Sequence, residues 1–257
     1  MDRKQIRQIG LNRAKVSEKV ADMIIVGAGL SGLLTAWRFM DVNPNLTVMV
    51  IEASDRIAGD HTWSFNLTDV TPDLHEWIKP FIAYQWDSYD VKFPKRERTL
   101  DIIYCTGNSE TLRACVQPHI DSGRLQVRLK TRVTELQSDF VTLEDGQKLT
   151  ANCVLDARGF EPNENVFLGY QKFVGRTIRT KEPHGLKRPI IMDATVEQLG
   201  GYRFVYSRRM DSGADILGVI VVEVDLQKFE RAWAGISDAV MVADSTGTVI
   251  LSTEPRW

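Results

Sequence analysis

Six residues near the start of the chain have the types and spacing of a phosphate-binding turn. They are Gly27-Ala28-Gly29-Leu30-Ser31-Gly32, a GxGxxG pattern. In such a turn the first glycine permits the tight bend, the second lets the backbone approach a pyrophosphate, and the third allows close packing of helix on strand. The amides and the dipole at the start of the following helix favour negative charge. The pattern predicts that these residues bind the phosphates of a dinucleotide.

The elements that must position this turn are recognisable on both sides of it. Met23–Val26 is a short apolar run, which is typical of a buried parallel strand. Leu30–Met40 has apolar residues at helical spacing, and Thr47–Ile51 predicts a second strand. Glu52 ends that strand at the spacing that the dinucleotide fingerprint requires. Strand, turn, helix, strand and acid together predict a dinucleotide-binding βαβ unit.

The carboxylate at the end of the second strand indicates which dinucleotide is bound. A carboxylate there accepts hydrogen bonds from a ribose diol and disfavours a 2′-phosphate. Glu52 therefore argues against NADP, and the adjacent Ala53 is included among the predicted cofactor contacts.

A second segment favours FAD over NAD. Within Val133–Gly159 the dipeptide Asp145-Gly146 lies between alternating segments, which predicts a β-hairpin. The apolar strand Cys153–Leu155 follows and runs into Asp156-Ala157-Arg158-Gly159. This resembles the way many FAD enzymes return to their dinucleotide domain, and an ordinary sheet edge is the alternative. The resemblance adds Arg158 to the predicted FAD contacts.

Composition excludes several other kinds of protein. The chain has 257 residues and a formal net charge of −2, which gives no electrostatic basis for binding nucleic acid. Cys105, Cys115 and Cys153 form no CxxC pair, which favours free thiols in a reducing compartment. The four histidines are scattered. We expect neither a metal site nor a nucleic-acid partner.

The first part of the chain is basic. Residues 1–21 contain six Lys or Arg against Asp2 and Glu18. Their apolar residues can share one helical face, which is typical of a helix on a membrane surface. Gly10 interrupts that face, and a basic tail is the favoured interpretation. No apolar run is long enough to span a membrane and no signal core is present, which predicts a cytoplasmic protein.

Five segments, in order, resemble blocks of bacterial lycopene β-cyclases. They are Gly59–Phe65, Tyr89–Pro94, Gly169–Gly175, Pro183–Val196 and Gly201–Tyr206. Asp60, in the first block, stands where the family usually has Asn. With the dinucleotide unit, the resemblance covers residues 22–206, roughly the N-terminal half of a full-length cyclase.

The resemblance implies an acid-catalysed isomerisation without net redox. These enzymes close the linear ends of lycopene into β-ionone rings: a double bond is protonated, a neighbouring one attacks the cation, and a proton leaves. Such chemistry needs a carboxylic acid, a dry pocket and groups that stabilise positive charge, such as aromatic faces. Reduced FAD is the implied cofactor. The C40 hydrocarbon substrate implies contact with the periphery of a membrane, such as the inner membrane.

The same resemblance suggests further site residues. Gly59 and His61 are placed against the flavin or its phosphates, although His61 can equally be a hydrogen-bonded structural histidine. Trp63, Trp86 and Tyr89 are candidates for pocket walls, with ordinary core aromatics as the alternative.

Two acidic residues are weak candidates for the catalytic acid. Asp193 lies in an apolar strand, where pKa values are often perturbed, and it can instead cap a turn or bond to Thr195. Glu223 ends another apolar strand, but it lies beyond the cyclase-like region.

After Tyr206 the cyclase pattern is lost. The rest of the chain predicts a strand over Gly218–Leu226 and a helix over Gln227–Trp233. A hairpin formed by Val240–Asp244 and Thr248–Ser252 follows. They resemble the end of the ligand-binding domain of C4-dicarboxylate sensor histidine kinases, with a generic αβ segment as the alternative. The chain is therefore expected to join parts of two genes, and to be a truncated cyclase of weak or no activity.

The predicted fold class is α/β, with an FAD-binding Rossmann-type parallel sheet, an incomplete β-rich substrate domain and a small α+β C-terminal fragment. The predicted segments are a basic tail (1–21), a cyclase-like region (22–206) and a sensor-like fragment (207–257). Within the second, residues 22–65 and 131–160 form the dinucleotide unit, and 66–130 and 161–206 form the substrate domain. Three functions remain open: a lycopene cyclase-like flavoprotein, an FAD-dependent oxidoreductase of another substrate, and a non-enzymatic sensor or binding fragment.

Overall fold

The computed structural model describes residues 18–159, 185–198, 204–212, 215–219, 241–243 and 249–252. The α-helices are α1 (Leu30–Val42), α2 (His75–Ile78) and α3 (Ser109–Asp121), and short 3₁₀ turns cover Leu67–Asp69, Pro72–Leu74 and Lys79–Phe81. The strands in the first continuous range are β1 (Glu18–Lys19), β2 (Met23–Val26), β3 (Val48–Ile51), β4 (Thr62–Asn66), β5 (Ile82–Trp86), β6 (Tyr89–Phe93), β7 (Arg96–Leu100), β8 (Tyr104–Asn108), β9 (Leu125–Arg128), β10 (Val133–Leu136), β11 (Phe140–Leu143), β12 (Lys148–Thr150) and β13 (Cys153–Asp156). The later strands are β14 (Ile190–Asp193), β15 (Val205–Ser207), β16 (Arg209–Ser212), β17 (Asp215–Val219), β18 (Met241–Ala243) and β19 (Val249–Ser252).

The chain divides into two compact units. Residues 18–63, 78–83 and 107–159 form the first unit, and residues 64–77 and 84–106 with the described ranges from 185 onward form the second. The first unit contains the glycine turn, and the second contains a group of aromatic side chains.

A four-stranded parallel sheet forms the centre of the first unit. Its strand order is β13-β2-β3-β9, and the connection from β2 through α1 to β3 is the predicted βαβ unit. Ile24, Ile25, Val48 and Val50 are completely buried in the two central strands. Burial on both faces explains why these strands are continuous apolar runs rather than alternating ones. The predicted α/β fold class is confirmed.

The expected boundary of the dinucleotide unit is wrong over one stretch. The sequence predicts that residues 66–130 belong to the substrate domain, but β9 pairs in parallel with β3, so that Val48 is opposite Leu125. Helix α3 belongs to the same unit, and His119 in α3 contacts Asp41 in α1 through Nε2 and Oδ1, 3.1 Å apart. The sequence does not predict β9, because β9 is an edge strand with an exposed Gln126 and lacks the apolar run of a central strand.

The predicted hairpin is present and belongs to a second sheet of the first unit. That sheet has the order β1-β12-β11-β10, and β11 pairs antiparallel with β12. The short strand β1 pairs with β12, and Ala21 is buried. The expected tail boundary at residue 21 is therefore wrong, because residues 18–21 are part of the folded unit. Residues 1–17 lie outside the described residues.

The Asp22 carboxylate joins the starts of β2 and β3. It accepts hydrogen bonds from the Thr47 hydroxyl at 2.8 Å and the Thr47 amide at 3.0 Å, and from the Lys19 ammonium at 3.2 Å. These donors, the Thr47 hydroxyl foremost, lower the pKa of Asp22 from 3.8 to about 2. The ionised carboxylate is therefore the form that stabilises the sheet.

We expect Asp22→Asn to lower the free energy of unfolding at neutral pH by about 1–2 kcal/mol, because the hydrogen bonds to a charged acceptor are weakened. Since the folded-state pKa is depressed, this contribution is present above pH 3.8 and is lost as the pH falls towards 2. Urea unfolding across this pH range measures the difference. Asp139→Asn, at an exposed position, is the control. A pH-independent difference between Asp22→Asn and the wild type would contradict the assignment.

The second unit is rich in β-strands. One sheet has the order β15-β14-β6-β7, in which β14 runs parallel to β6 and antiparallel to β15. A three-stranded sheet has the order β4-β8-β5. Strands β18 and β19 pair antiparallel, as the sequence predicts for this segment. The predicted helix over Gln227–Trp233 lies outside the described residues.

Candidate functional site

Close packing at two glycines defines the shape of the turn between β2 and α1. Gly27 has a φ of +105°, and a Cβ atom there would lie 2.6 Å from the Ala157 carbonyl oxygen. A Cβ on Gly32 would lie 2.2 Å from the Gly27 carbonyl oxygen. A Cβ on Gly29, by contrast, would have no atom within 4 Å. The turn is therefore held tightly at its ends and open at Gly29, where a pyrophosphate is expected to approach.

The start of α1 is free of the side chains that usually satisfy a helix terminus. Gly29 precedes it without a side-chain cap, and its first turn contains no acidic residue. Helix α3 in the same unit is different, since Asn108 accepts a hydrogen bond from the Thr111 amide and Glu110 lies in its first turn. The amides at the start of α1 thus remain available, together with the positive end of the helix dipole, for an anionic group.

Glu52 connects the glycine turn to the segment that follows β3. Its Oε2 accepts the Ala28 amide and its Oε1 accepts the Ser54 amide, both at 2.8 Å. Burial alone would raise the pKa of Glu52, but these amides and that of Ala53 outweigh it and leave the pKa below its ordinary value. Glu52 is therefore an ionised carboxylate with lone pairs left to accept hydrogen bonds from a ribose.

The loop Ile57–His61 lies against the glycine turn. The Ala58 amide donates a 2.8 Å hydrogen bond to the Ala28 carbonyl oxygen. Ala58 is completely buried and has a φ of +60°, a conformation that costs a non-glycine residue about 1–2 kcal/mol. His61 is exposed, and its ring lies 5.5 Å from that of Trp63. His61 therefore belongs to the same unit as the glycine turn, and its contact with a cofactor stays a prediction.

Arg158 has a carboxylate partner on its own strand end. Its Nε and Nη2 donate to the two oxygens of Asp156, at 2.8 and 2.7 Å. The hydrogen bond from this guanidinium is the main cause that lowers the pKa of Asp156. Asp156 ends β13, and Ala157, which lies between Asp156 and Arg158, packs on Gly27. Of the other predicted cofactor contacts, Ser31 and Ala53 are exposed at this end of the sheet.

An aromatic cluster in the second unit surrounds Tyr104. The ring centroids of Trp86, Tyr89 and Tyr206 lie 6.2, 5.6 and 6.4 Å from that of Tyr104, and the Tyr206 hydroxyl donates to the Tyr104 hydroxyl at 3.0 Å. Burial, with the neighbouring Tyr104, raises the pKa of both Tyr89 and Tyr206. Two of the predicted pocket residues, Trp86 and Tyr89, are thus brought together.

Trp63, the third predicted pocket residue, has different neighbours. Its ring lies 6.1 Å from Phe81 and 5.5 Å from His61, within the first unit. The sequence interpretation missed Tyr104 and Tyr206. A run of aromatics at alternating positions of neighbouring strands is the signal that predicts such a cluster, but the pairing of those strands is not readable from one sequence.

Of the two candidates for a catalytic acid, Asp193 and Glu223, the structure describes the first. The Asp193 Oδ1 accepts hydrogen bonds from both the amide and the hydroxyl of Thr195, which closes the turn after β14. This is the structural alternative that the sequence left open for Asp193. Glu223 lies outside the described residues.

Comparison with known proteins identifies the family. The family model described as lycopene cyclase protein matches residues 22–216, well over half of the chain. The chain belongs to the lycopene cyclase family. The expected boundary of the cyclase-like region, residues 22–206, agrees with this match to within ten residues at its end.

Curated members of the lycopene cyclase family are close in sequence but longer. The lycopene beta-cyclase of Pantoea ananas is 40% identical over 190 residues, which cover 72% of this chain and 48% of that protein. The chain therefore spans about half the length of the curated cyclases that it matches. Over 54 residues the chain is also 37% identical to the C4-dicarboxylate transport sensor protein DctB of Pseudomonas aeruginosa, a match that covers 21% of this chain and 9% of that protein.

A solved structure supports the fold of this lycopene cyclase family member. PqsL of Pseudomonas aeruginosa, described as a probable FAD-dependent monooxygenase, superposes with a TM-score of 0.57 over 82% of this chain and 62% of its own, at 17% identity. At this identity the likeness shows the fold alone, and it agrees with the Rossmann-type sheet predicted from the sequence.

A buried arginine lies in the second unit of this family member. Arg208 is 2% exposed, and its Nη1 donates to the hydroxyls of Thr106 at 2.8 Å and Ser64 at 3.3 Å. Its Nε has no hydrogen-bond partner among the residues that the structure describes. A buried charge is costly unless hydrogen bonds or a counter-charge compensate for its loss of hydration.

We expect Arg208→Met to raise the free energy of unfolding by about 2 kcal/mol, because it removes a buried charge whose Nε has no hydrogen-bond partner among the described residues. The Ser64 and Thr106 hydroxyls remain hydrogen-bonded to each other, 2.9 Å apart. Thermal denaturation measures the change. Arg188→Met is the matched control, since Arg188 is partly exposed and faces Asp90 at 3.7 Å. Destabilisation by Arg208→Met would mean that the guanidinium has a favourable role.

Other kinds of site are not found in the part of the chain that the structure describes. No group of three or more His, Cys, Asp or Glu side chains there can hold a metal ion. No helix among the same residues is long and apolar enough to cross a membrane. The cysteines are free, and burial raises the pKa of the Cys105 thiol to about 11.

Proposed function

We propose that this chain binds FAD at the glycine turn and that its function is the cyclisation of lycopene ends to β-ionone rings. The observation that carries the proposal is the turn itself: closed at Gly27 and Gly32, open at Gly29, and followed by the uncapped start of α1. This arrangement suits a pyrophosphate, and the ionised Glu52 suits the adjoining ribose. Membership of the lycopene cyclase family supports FAD as the dinucleotide.

The proposed reaction is an isomerisation of the hydrocarbon end group. An acid protonates a double bond of lycopene, a neighbouring double bond attacks the resulting cation, and loss of a proton forms the ring. The cluster of Trp86, Tyr89, Tyr104 and Tyr206 supports this chemistry, because aromatic faces attract cations. Its buried tyrosines stay neutral, since burial raises the pKa values of Tyr89 and Tyr206.

The cofactor and the chain's residues have separate parts in this proposal. Reduced FAD would supply a proton or stabilise the cation, without net transfer of electrons. In this proposal Gly29 and the start of α1 hold the pyrophosphate, Glu52 orients the ribose, and His61 contacts the flavin or its phosphates. The acid is not assigned, because the hydrogen bonds of Asp193 to Thr195 support a structural role for it.

Flavin binding is tested on the purified chain. We expect it to retain FAD, seen as the visible absorbance bands of protein-bound flavin and identified by release on denaturation. A soluble, folded chain that neither retains FAD nor takes it up when FAD is added would overturn the cofactor assignment.

Cyclisation is tested separately, in bacteria that accumulate lycopene. Formation of β-rings should change the red pigment to orange or yellow, with the products identified by chromatography. Red pigment in cells that contain soluble, flavin-loaded chain would contradict the activity while leaving flavin binding intact. Oxygenated carotenoids instead of cyclic hydrocarbons would favour the oxidoreductase hypothesis.

A hydrocarbon substrate also requires access to a membrane surface. We include in the proposal that the chain contacts membranes at their periphery, because lycopene dissolves in lipid rather than in water. Co-sedimentation with vesicles of bacterial lipids, with and without lycopene, tests this part. A chain that stays in the supernatant under both conditions would contradict it.

A further inference from the structure

The loop Ile57–His61 adopts a backbone conformation that other residues must hold in place. Ala58 and Gly59 have φ angles of +60° and +56°, so two successive residues are left-handed. Alanine does not favour this region, and such residues persist where their surroundings restrain them. Because the Ala58 amide binds the Ala28 carbonyl oxygen at 2.8 Å, the conformation of the loop also affects the glycine turn.

Ser109, the first residue of α3, supplies much of this restraint. It is 3% exposed, and its hydroxyl lies 2.8 Å from the Ala58 carbonyl oxygen, to which it donates. The Ser109 Oγ also accepts a hydrogen bond from the His61 amide at 2.7 Å, while the Ser109 amide donates to the His61 carbonyl oxygen at 3.0 Å. One buried side chain thus fixes both Ala58 and His61.

Arg113, one helical turn further along α3, holds the other side of the loop. Its Nη1 donates to the carbonyl oxygens of Ile57 at 3.3 Å and Gly59 at 3.0 Å, the two residues that flank Ala58. A guanidinium can make several such bonds from one rigid plane. Ser109 and Arg113 together therefore donate hydrogen bonds to four carbonyl oxygens of one loop, those of Ile57, Ala58, Gly59 and His61.

The position of His61 depends on the same contacts. A Cβ on Gly59 would lie 2.9 Å from the Cδ2 and Nε2 atoms of the imidazole, so the His61 ring packs directly on the Gly59 backbone. With its amide and carbonyl fixed by Ser109 and its ring placed on Gly59, the exposed imidazole has a defined position on the loop Ile57–His61.

We propose that Ser109 and Arg113 are positioning residues for the dinucleotide site: they hold the left-handed loop that supports Ala28 and orients His61. This inference rests on the proposed binding of FAD. It gives α3, which lacks any glycine-turn motif, an indirect influence on how tightly and in what geometry the flavin is held. Neither residue contacts the cofactor in this proposal, and both act through the loop.

The test uses the full chain with Ser109→Ala, Ser109→Thr, Arg113→Met and Arg113→Lys. Ser122→Ala is the matched control, because Ser122 lies at the other end of α3, where its hydroxyl donates to the His119 carbonyl oxygen at 3.0 Å. Hydrogen exchange of peptides covering residues 57–61 is measured without flavin. FAD affinity and the visible circular dichroism of bound flavin are measured next, with thermal denaturation as the check on folding.

We expect Ser109→Ala to accelerate exchange in the loop and to weaken FAD binding by about tenfold or more, since buried polar groups lose their partner. The dichroism of the remaining bound flavin should change, and Ser109→Thr should restore both properties because it keeps the hydroxyl. Arg113→Met should act in the same direction, with partial recovery in Arg113→Lys. Ser122→Ala should leave loop exchange and affinity unchanged.

The outcomes separate this inference from the proposed function. A wild-type chain that binds no FAD defeats the proposed function, while loop exchange in Ser109→Ala still decides whether α3 restrains the loop. Faster exchange with unchanged affinity and dichroism overturns the positioning role. If Ser109→Ala does not fold, Arg113→Met gives the same comparison, and unchanged exchange in that variant also overturns the inference.

Discussion

Gly29→Ala is expected to leave the fold intact and to weaken FAD binding by about 100-fold, whereas Gly32→Ala is expected to damage the fold itself. The difference follows from what each new methyl group would meet. At Gly29 there is open space for 4 Å, so only an approaching pyrophosphate is obstructed. At Gly32 the methyl group would lie 2.2 Å from the Gly27 carbonyl oxygen, a backbone atom that cannot move aside cheaply. Overpacking of this kind costs about 3 kcal/mol.

Thermal denaturation and FAD titration of both variants measure these effects. For Gly32→Ala the stability loss corresponds to a fall in Tm of roughly 10 °C. Gly123→Ala tests the interpretation of Gly29, since Gly123 also has open space around it but lies outside the turn; its φ of +74° costs stability without affecting the site. Equal loss of stability in Gly29→Ala and Gly32→Ala would contradict the proposal that Gly29 admits the pyrophosphate while Gly32 is needed for close packing.

Glu52→Gln is expected to weaken FAD binding by about tenfold to a hundredfold, the second large effect. The amide has one accepting oxygen, so either Ala28 or Ser54 loses the 2.8 Å acceptor that the carboxylate provides. Hydrogen bonds to a charged group are worth about 1.5–3 kcal/mol, which sets the size of the effect. Because the pKa of Glu52 lies below its ordinary 4.5, the wild-type contribution persists as the pH falls to that value and is lost below it.

Isothermal titration of FAD against both proteins, at neutral pH and near pH 4.5, checks this expectation. Glu97→Gln is the matched control: Glu97 is 60% exposed and pairs with Lys92 at 3.1 Å on the surface, where ion pairs contribute little. An affinity for FAD that is the same in Glu52→Gln and Glu97→Gln would rule out a role for the Glu52 carboxylate.

The sequence predicts the βαβ unit well because its signals are local. Strand β2 has the predicted bounds, α1 is two residues longer than predicted, and β3 begins one residue later. The two strands are central in the sheet and apolar on both faces, so each is a continuous apolar run. The tight turn between β2 and α1 requires glycines at fixed positions, which the sequence shows directly. The hairpin of β11 and β12 is equally local, since its Asp-Gly turn lies between its own strands.

Long-range contacts account for what the sequence did not reveal. Strand β9 is at a sheet edge, and its partner β3 is far away in the chain. Helix α3 carries a start signal, Asn108 before apolar residues at helical spacing, but Pro118 inside the helix obscures it. The roles of Ser109 and Arg113 arise only when α3 packs against the loop Ile57–His61. The grouping of Tyr104 with Tyr206 likewise depends on strand pairing.

The position of β13 has a consequence for the order of events during synthesis. Strand β2 is made early, yet its outer edge stays unpaired until Cys153–Asp156 has been synthesised and can pair with it in parallel. The close contact of Gly27 with the Ala157 backbone also forms only after Ala157 has been synthesised. The Ala157 amide then donates a hydrogen bond to the Val26 carbonyl oxygen at 2.8 Å. A nascent chain that ends before residue 153 therefore exposes a hydrophobic strand edge to other chains. The glycine turn is therefore translated early but is completed only after Ala157 has been synthesised.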